Sequence, residues 1–432
     1  MASEASGADA AARAIDAVCR MEFSRVVARI ARLVRDVGLA EELAQDAFVA
    51  ALEQWPESGI PDAPGAWLTA VAKRRAVDRI RRDRDFASKR DAIGYETESS
   101  RPDSGPDLEE EPIEDDLLRL IFTSCHPVLS AEARAALTLR VLGGLTTEEI
   151  ARAFLVPVAT MAQRIVRTKR TLAEAKVPFE VPRGADRESR LAPVLEVLYL
   201  IFNEGYAATS GDRWLRQELC DEAMRLGRIL AELVPHEPEA HGLAALKAIQ
   251  ASRSRARVGG DGKPILLLEQ DRAKWDRLLI GLGLTALDRA EKIGRVLGPY
   301  GMQAAIAACH ARALRPEDTD WVRIAALYDG LARMQPSPVV ELNRAMAVGM
   351  AYGPEAPLEI VEGLAAEGDL EEYPPLHAAR GELLAKTGRW AEARKAFERA
   401  AALSKNGPER ELLLDRAKAC SQGALWWQAK GG

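Results

Sequence analysis

The stretch that most constrains this chain is residues 145–172, LTTEEIARAFLVPVATMAQRIVRTKRTL, which reads as two helices with a tight joint. At the start of the first, the Thr146 hydroxyl is placed to accept from the amide three residues on, while Glu149 reaches back to the Thr146 amide in a capping box. Ile150, Ala151 and Phe154 form its apolar face. Pro157 ends it, because the ring removes an amide donor and disfavours helical backbone at Val156, yet proline is tolerated where a second helix begins. In that second helix Val158, Met161, Ala162, Ile165 and Leu172 recur at three- and four-residue steps and are expected to face inward. Thr160, Gln163, Arg164, Arg167 and Thr171 recur on the opposite side.

That polar side suits a DNA groove. Arg and Gln make paired hydrogen bonds to guanine and adenine edges, and Lys169 and Arg170 are placed to meet phosphates beside them. The reading is a helix-turn-helix. Capped helical hairpins with a polar outer face are also common in all-helical proteins that bind no DNA, so the decision rests on what lies upstream.

The chain has 432 residues, enough for two to four domains at roughly 100 to 200 residues each. Aromatics are few at 5%, and alternating β-branched runs are almost absent, so the fold class is all-α. A net charge of -6 argues against nonspecific coating of nucleic acid but hides a local asymmetry. The five cysteines, at 19, 125, 220, 309 and 420, form no CxxC pair, which fits a reducing compartment and core thiols. Cys125 beside His126 lacks a further ligand at a recognisable spacing, and His236 and His241 do not share a helical face, so neither metal nor cofactor is expected. No apolar run approaches the ~20 residues that span a bilayer, and residues 1–14 lack a signal-peptide core; the expectation is a cytoplasmic protein without a membrane partner.

Residues 1–13 are expected to fray, and a helix is expected over 14–37 with Gly38 as its C-cap. The next, 39–55, puts Leu43, Ala47 and Ala50 on one face and Glu41, Glu42, Gln45, Asp46 and Val49 largely on another, an acidic face that is either solvated or a docking surface. A Pro/Gly-rich loop over 55–65 leads into 66–84, where Leu68, Val71, Ala72, Ala76 and Ile80 oppose Lys73, Arg74, Arg81, Arg82 and Arg84. Trp67 at the head of this basic helix supplies what single-stranded DNA needs, an aromatic platform for an unstacked base with cations along its backbone. Residues 91–116, rich in acid, Ser, Gly and Pro, read as a flexible tether; its Glu109, Glu110 and Glu111 are able to compete with DNA for the basic surfaces. Two more helices, over 117–122 and 131–142, lead into the helix-turn-helix.

In this order the words AEELAQDAFVAALEQW, PGAWLTAVAKRRAVDRIRR and LTLRVLGGLTTEEIARAFLVPVATMAQRIVRTKRTL resemble a sigma factor of the extracytoplasmic-function type, within the sigma-70 family. The resemblance implies a region 2-like domain over 14–90 and a region 4-like domain over 117–180. It implies that the helix carrying Leu43, Gln45, Asp46 and Phe48 docks on core RNA polymerase, on the beta-prime subunit with beta as a further partner. It also implies that Trp67, Lys73, Arg74, Arg81 and Arg82 capture and melt the promoter −10 element, while Thr160, Gln163, Arg164, Arg167, Lys169 and Arg170 read the −35 element. No covalent chemistry is required of such a protein, and it is not expected to be an enzyme.

Ordinary members stop near residue 180, so 181–335 and 336–432 need their own account. In 377–403, Leu384, Gly388, Trp390, Ala393, Ala396, Phe397 and Ala400 sit where a tetratricopeptide repeat keeps small and apolar residues. Gly353 and Ala365 repeat the pattern 35 residues earlier, and a helix over 411–428 is placed to cap the stack. Between repeats and helix-turn-helix, Asn203, Glu204, Tyr206, Asp212, Asp271, Arg272, Trp275, Asp276, Arg277 and His310 are unusually polar and aromatic, forming either a packing junction or a ligand pocket. These stretches resemble the long extension of one sigma-factor group, which the resemblance implies is regulatory, with a protein or a small ligand as its partner. Two other readings stay open: a conventional helix-turn-helix regulator, which would have no use for a Trp-headed basic helix, and a tetratricopeptide scaffold or ligand sensor.

Overall fold

The computed structural model describes residues 18, 21–91, 113–154, 156–208 and 214–422. Among these the only β pairing is one isolated bridge, between Val258 and Pro264, and the rest is helix and connection. The chain divides into two compact units, Met1–Leu198 and Tyr199–Gly432.

In the first unit α1 (21–34) is followed by α2 (Val37–Ser58) and α3 (Pro64–Asp91). The expected C-cap at Gly38 is corrected. Helix α1 stops at Val34, Arg35 takes the left-handed conformation at φ 54°, and Asp36 caps α2 by accepting from the Leu39 amide at 3.0 Å. Gly38 lies inside the first turn of α2, where a Cβ would stand 3.3 Å from the Lys169 side chain, so its role is close approach. Helix α2 also carries Pro56 within its last turn, shortening the expected loop to 59–63. Val26, Val27, Ile30, Ala44, Ala47, Ala51, Leu68, Ala72 and Ala76 are fully or almost fully buried and form the core of these helices.

Helix α4 (Ile113–Ser124) begins earlier than expected and takes in Asp116, which had been counted with the tether; the rest of the tether, 92–112, lies outside the described residues. Asp116 is buried, with Arg119 at 2.7 Å, Arg29 at 3.4 Å and Arg32 at 3.8 Å. Burial still outweighs these cations and raises its pKa above the usual carboxylate value. Then follow α5 (Ala131–Val141), α6 (Thr147–Ala153) and α7 (Val158–Glu174). Helix α8 (Ala185–Tyr206) begins in this unit, where Glu196 pairs with Arg134 of α5 at 3.1 Å.

The second unit continues with α9 (Gln217–Leu233), α10 (Pro238–Ala251), α11 (Arg277–Gly294), α12 (Pro299–Arg312) and α13 (Trp321–Met334). Glu239 on α10 caps α12 by accepting from the Tyr300 and Gly301 amides at 2.9 and 3.1 Å, satisfying donors that a helix start leaves orphaned. Lys247 of α10 is 0% exposed and turns against α9, its Nζ donating to the Ala223 carbonyl at 2.7 Å. Position 227 opposite it is glycine: a Cβ there would stand 2.2 Å from Nζ, and the end of the lysine would have to shift. Burial pulls the Lys247 pKa down to about 7.

Two helical hairpins, α14 (Pro338–Tyr352) with α15 (Glu355–Glu367) and α16 (Pro374–Lys386) with α17 (Trp390–Leu403), precede α18 (Gly407–Gln422). Gly353 and Gly388 turn the two hairpins at φ 106° and 77°, so the 35-residue spacing read from the sequence recurs in the backbone. Leu384, Ala393, Ala396, Phe397 and Ala400 are buried in one core with Leu342, Val361 and Leu413. Of the expected capping helix, 423–428 lies outside the described residues. Cys125, Cys220, Cys309 and Cys420 are free and buried; burial pushes the first two thiols up to about 11 and about 12. Cys19 lies outside the described residues. No described helix is long and apolar enough to cross a membrane.

Candidate nucleic-acid interface

The capping box at the head of α6 forms as expected. The Thr146 amide donates to Glu149 Oε2 at 2.8 Å and the Glu149 amide donates to Thr146 Oγ1 at 3.1 Å. Pro157 stands at the N-cap of α7. Met161, Ile165, Thr168 and Leu172 bury one side of α7, which packs on α5 and α6. Val158, expected inside, is the first residue of α7 and is 45% exposed.

The other side of α7 is open. Thr160, Gln163, Arg164, Arg167 and Thr171, together with Ser130 and Ala133 at the head of α5, line a concavity of about 380 Å³. Four of the six side chains assigned to duplex reading therefore share one surface. Glu132 sits near them, its carboxyl held low by hydrogen bonds from its own amide and Ser130 and, to a lesser extent, by Arg164.

Lys169 and Arg170 are elsewhere. Lys169 Nζ donates to Glu41 Oε2, on α2, and Arg140 Nε donates to Glu41 Oε1 at 2.7 Å. Glu41 also accepts from Gln45 and is 1% exposed, which corrects its place on an exposed acidic face, whether solvated or docking. The periodicity of α2 hides this, because the covering residues come from α5 and α7. Arg170 is exposed and pairs with Glu174 at 2.6 Å.

On the rest of α2, Leu43 and Phe48 are buried, the latter stacked on Phe23 with ring centroids 5.4 Å apart. Gln45 is half-buried. Asp46 is exposed and faces Arg75 at 3.3 Å. The solvent strip of the helix includes Glu42, Asp46, Val49 and Leu52, the first three of which the sequence placed on the solvated or docking face; Val49 and Leu52 are 53% and 52% exposed. On α3 Lys73, Arg74, Arg81 and Arg82 are exposed along the helix. Trp67 is half-buried, its ring edge-on to the buried Trp55 at 5.3 Å.

The polar residues of the extension separate into several sites. Asn203 and Tyr206 line a cavity with Gln250 and Tyr328. Glu204 pairs with Arg216 at 2.5 Å. Arg272 is buried, donating to the carbonyls of His310 and Ala313 at 2.7 and 2.8 Å and to Thr319 Oγ1 at 2.9 Å, with its guanidinium 5.0 Å from the Trp275 ring centre. His310 packs against Trp321, and burial lowers its pKa to about 3. Asp271 caps a 3-10 turn and Asp276 caps α11, while Arg277 is exposed. Asp212 lies outside the described residues. Arg272, Trp275 and His310 are packed together, with Arg272 Nε, Trp275 Nε1 and His310 Nδ1 buried and without a hydrogen-bond partner among the described residues.

Comparison with known proteins matches Sigma-70 region 2 over residues 20–86 and Sigma-70, region 4 over 119–172. A family of unknown function (DUF6596) matches 190–291, and a tetratricopeptide repeat matches 374–406. The chain is 46% identical to an uncharacterized protein of Rhizobium meliloti (strain 1021), over 88% of this chain and 89% of that one. It is 30% identical to the ECF RNA polymerase sigma factor SigK of Mycobacterium ulcerans (strain Agy99), over 36% of this chain and 80% of that one. The SigK of Mycobacterium tuberculosis (strain ATCC 25177 / H37Ra) is 32% identical, over 34% of this chain and 78% of its own length. With regions 2 and 4 in order, a repeat at the far end and relatives of this kind, the chain belongs to the extracytoplasmic-function sigma factors of the sigma-70 family, as a form with a C-terminal tetratricopeptide extension.

Proposed function

We propose that this sigma factor reads promoter duplex at the −35 element through Thr160, Gln163, Arg164 and Arg167, and captures the −10 element through Trp67, Lys73, Arg74, Arg81 and Arg82. The observation that carries the reading is the open polar side of α7, with paired-bond donors on one concave surface. Lys169 and Arg170 join phosphates in this scheme only after leaving their carboxylate partners. The protein acts where core RNA polymerase and promoter DNA are, in the cytoplasm. Docking on the beta-prime subunit, with beta as a further partner, uses the exposed strip of α2 around Asp46, to which Val49 and Leu52 add apolar contact. Gln45, Leu43 and Phe48 support that strip from beside and behind. The extension regulates initiation through a protein or small ligand, and phosphodiester synthesis belongs to the polymerase.

The test is run-off transcription with core RNA polymerase on a promoter library, comparing the full chain with Arg164→Ala and Trp67→Ala. Initiation that falls in both variants supports the division of labour. Initiation indifferent to both would overturn the residue assignments.

A further inference from the structure

Within the second unit, one turn after another of α8 presents Tyr199, Asn203 and Tyr206 to a cavity of about 180 Å³ that Gln250 of α10, Gln303 of α12 and Tyr328 of α13 close from the other sides. Among the described residues no charged side chain lines it. An engineered apolar cavity of about 150 Å³ holds one benzene molecule, so this space suits one six-membered ring with a small substituent.

The polar groups around it are held in fixed senses. Tyr206 Oη donates to Gln250 Oε1 at 2.9 Å, and the Arg253 guanidinium donates to both of those oxygens. Because a guanidinium only donates, this settles which end of the Gln250 amide faces Arg253, and the Gln250 NH2 is left without an acceptor among the described residues. Tyr199 Oη donates to Gln303 Oε1 at 3.1 Å. The Asn203 amide and the Tyr328 hydroxyl make no side-chain hydrogen bond among the described residues, although both face the cavity. Burial pushes the Tyr328 pKa up to about 12, so it keeps its proton and remains a donor at neutral pH. The polar atoms of Asn203, Gln250 and Tyr328 are not among the fully buried unpaired ones, so they stay open to an incoming molecule. Here donors and an acceptor are left pointing at a space sized for a ring, and the walls are tyrosine faces suited to stack or meet it edge-on.

We propose that this cavity binds a small uncharged molecule built on one six-membered ring and carrying a carboxamide or hydroxyl, with Gln250 and Tyr328 donating to its oxygen and Asn203 accepting from its N–H or O–H. An ammonium would lose its hydration near the Arg253 guanidinium, and a carboxylate would lose its hydration without a direct ion pair, because Arg253 stands behind Tyr206 and Gln250 and its donors are already bound to them. The site is independent of how the first unit reads DNA, so binding is measured directly and its failure leaves the transcription reading untouched.

The experiment is ligand-observed NMR and calorimetry on the full chain with benzamide as probe, beside benzoate and benzylamine as charged rings of the same size. Benzamide is expected to bind saturably, and the two charged rings at least about tenfold more weakly. Tyr328→Phe, which removes one hydroxyl and keeps the shape, and Asn203→Ala are each expected to weaken benzamide about three- to tenfold, with the circular-dichroism melt of each variant confirming the fold. Equal affinity for all three rings, unchanged affinity in both folded variants, or no saturable benzamide binding up to about 10 mM would each overturn the proposal.

Discussion

Arg140 Nε donates to Glu41 Oε1 at 2.7 Å across 99 residues of chain, and Lys169 Nζ donates to the other oxygen of the same carboxylate. Glu41 belongs to the sigma region 2 match and both cations to the region 4 match, so one buried acid is shared between the two sequence families. Lys169 is thereby occupied with protein while Gln163, Arg164 and Arg167 face outward.

Removing that acid leaves two half-buried cations without their partner. Glu41→Ala is expected to lower the unfolding free energy of the full chain by about 3 kcal/mol. Urea denaturation followed by tryptophan fluorescence checks this, and a loss below about 1 kcal/mol would mean water replaces the carboxylate at little cost.

On the recognition side the prediction concerns discrimination rather than stability. Gln163→Ala and Arg167→Ala should each reduce preference for the cognate promoter by about 5- to 100-fold. Lys169→Ala should leave that preference unchanged and at most alter affinity for all sequences alike, since Lys169 is held by Glu41 and reaches only phosphate if it leaves that carboxylate. Competition binding of the holoenzyme to promoter variants at fixed salt separates the two outcomes.

A different measurement addresses Lys247. Its folded pKa of about 7 lies below the ordinary 10.5, so between those values the folded chain binds fewer protons than the unfolded one. Stability contributed by this group therefore rises as pH rises from about 7 to 10.5 and is flat below 7. Lys247→Met should remove that slope and, at pH 7, stabilise the second unit by about 1–3 kcal/mol, because an amine with one carbonyl partner is replaced by an apolar chain of similar length. Thermal melts at several pH values decide it.

For the repeat, Phe397 is 1% exposed and its ring lies 3.0 Å from where a Cβ at Gly381 would stand. Phe397→Ala empties that contact between α16 and α17 and should cost about 3–5 kcal/mol, read as a loss of cooperativity in the C-terminal transition.

What was legible in the sequence was local. The Thr146–Glu149 box, the break at Pro157 and the polar side of α7 depend on neighbours within about two turns, and the structure places each as read. Gly353 and Gly388 were legible because a repeat states its own period. Distant contacts were not. Glu41 looked solvated because its partners are 99 and 128 residues away, and Gly38 looked like a helix stop because the lysine that crowds it comes from α7. In the extension the polar cluster was noticed as one set, but helical geometry divides it: Asn203 and Tyr206 go to a cavity and Arg272, Trp275 and His310 to a packed junction.

The snug seat of Lys247 over Gly227 has a consequence for inheritance. With a Cβ at 227 standing 2.2 Å from Nζ, the two positions are not free to vary separately. A lineage that shortens or removes the side chain at 247 opens room and can afterwards accept alanine at 227, whereas the opposite order makes the lysine end swing away and give up the Ala223 carbonyl. Glycine facing a smaller residue is therefore the easier intermediate, and among relatives of this extension a larger residue at 227 should accompany a residue other than lysine at 247.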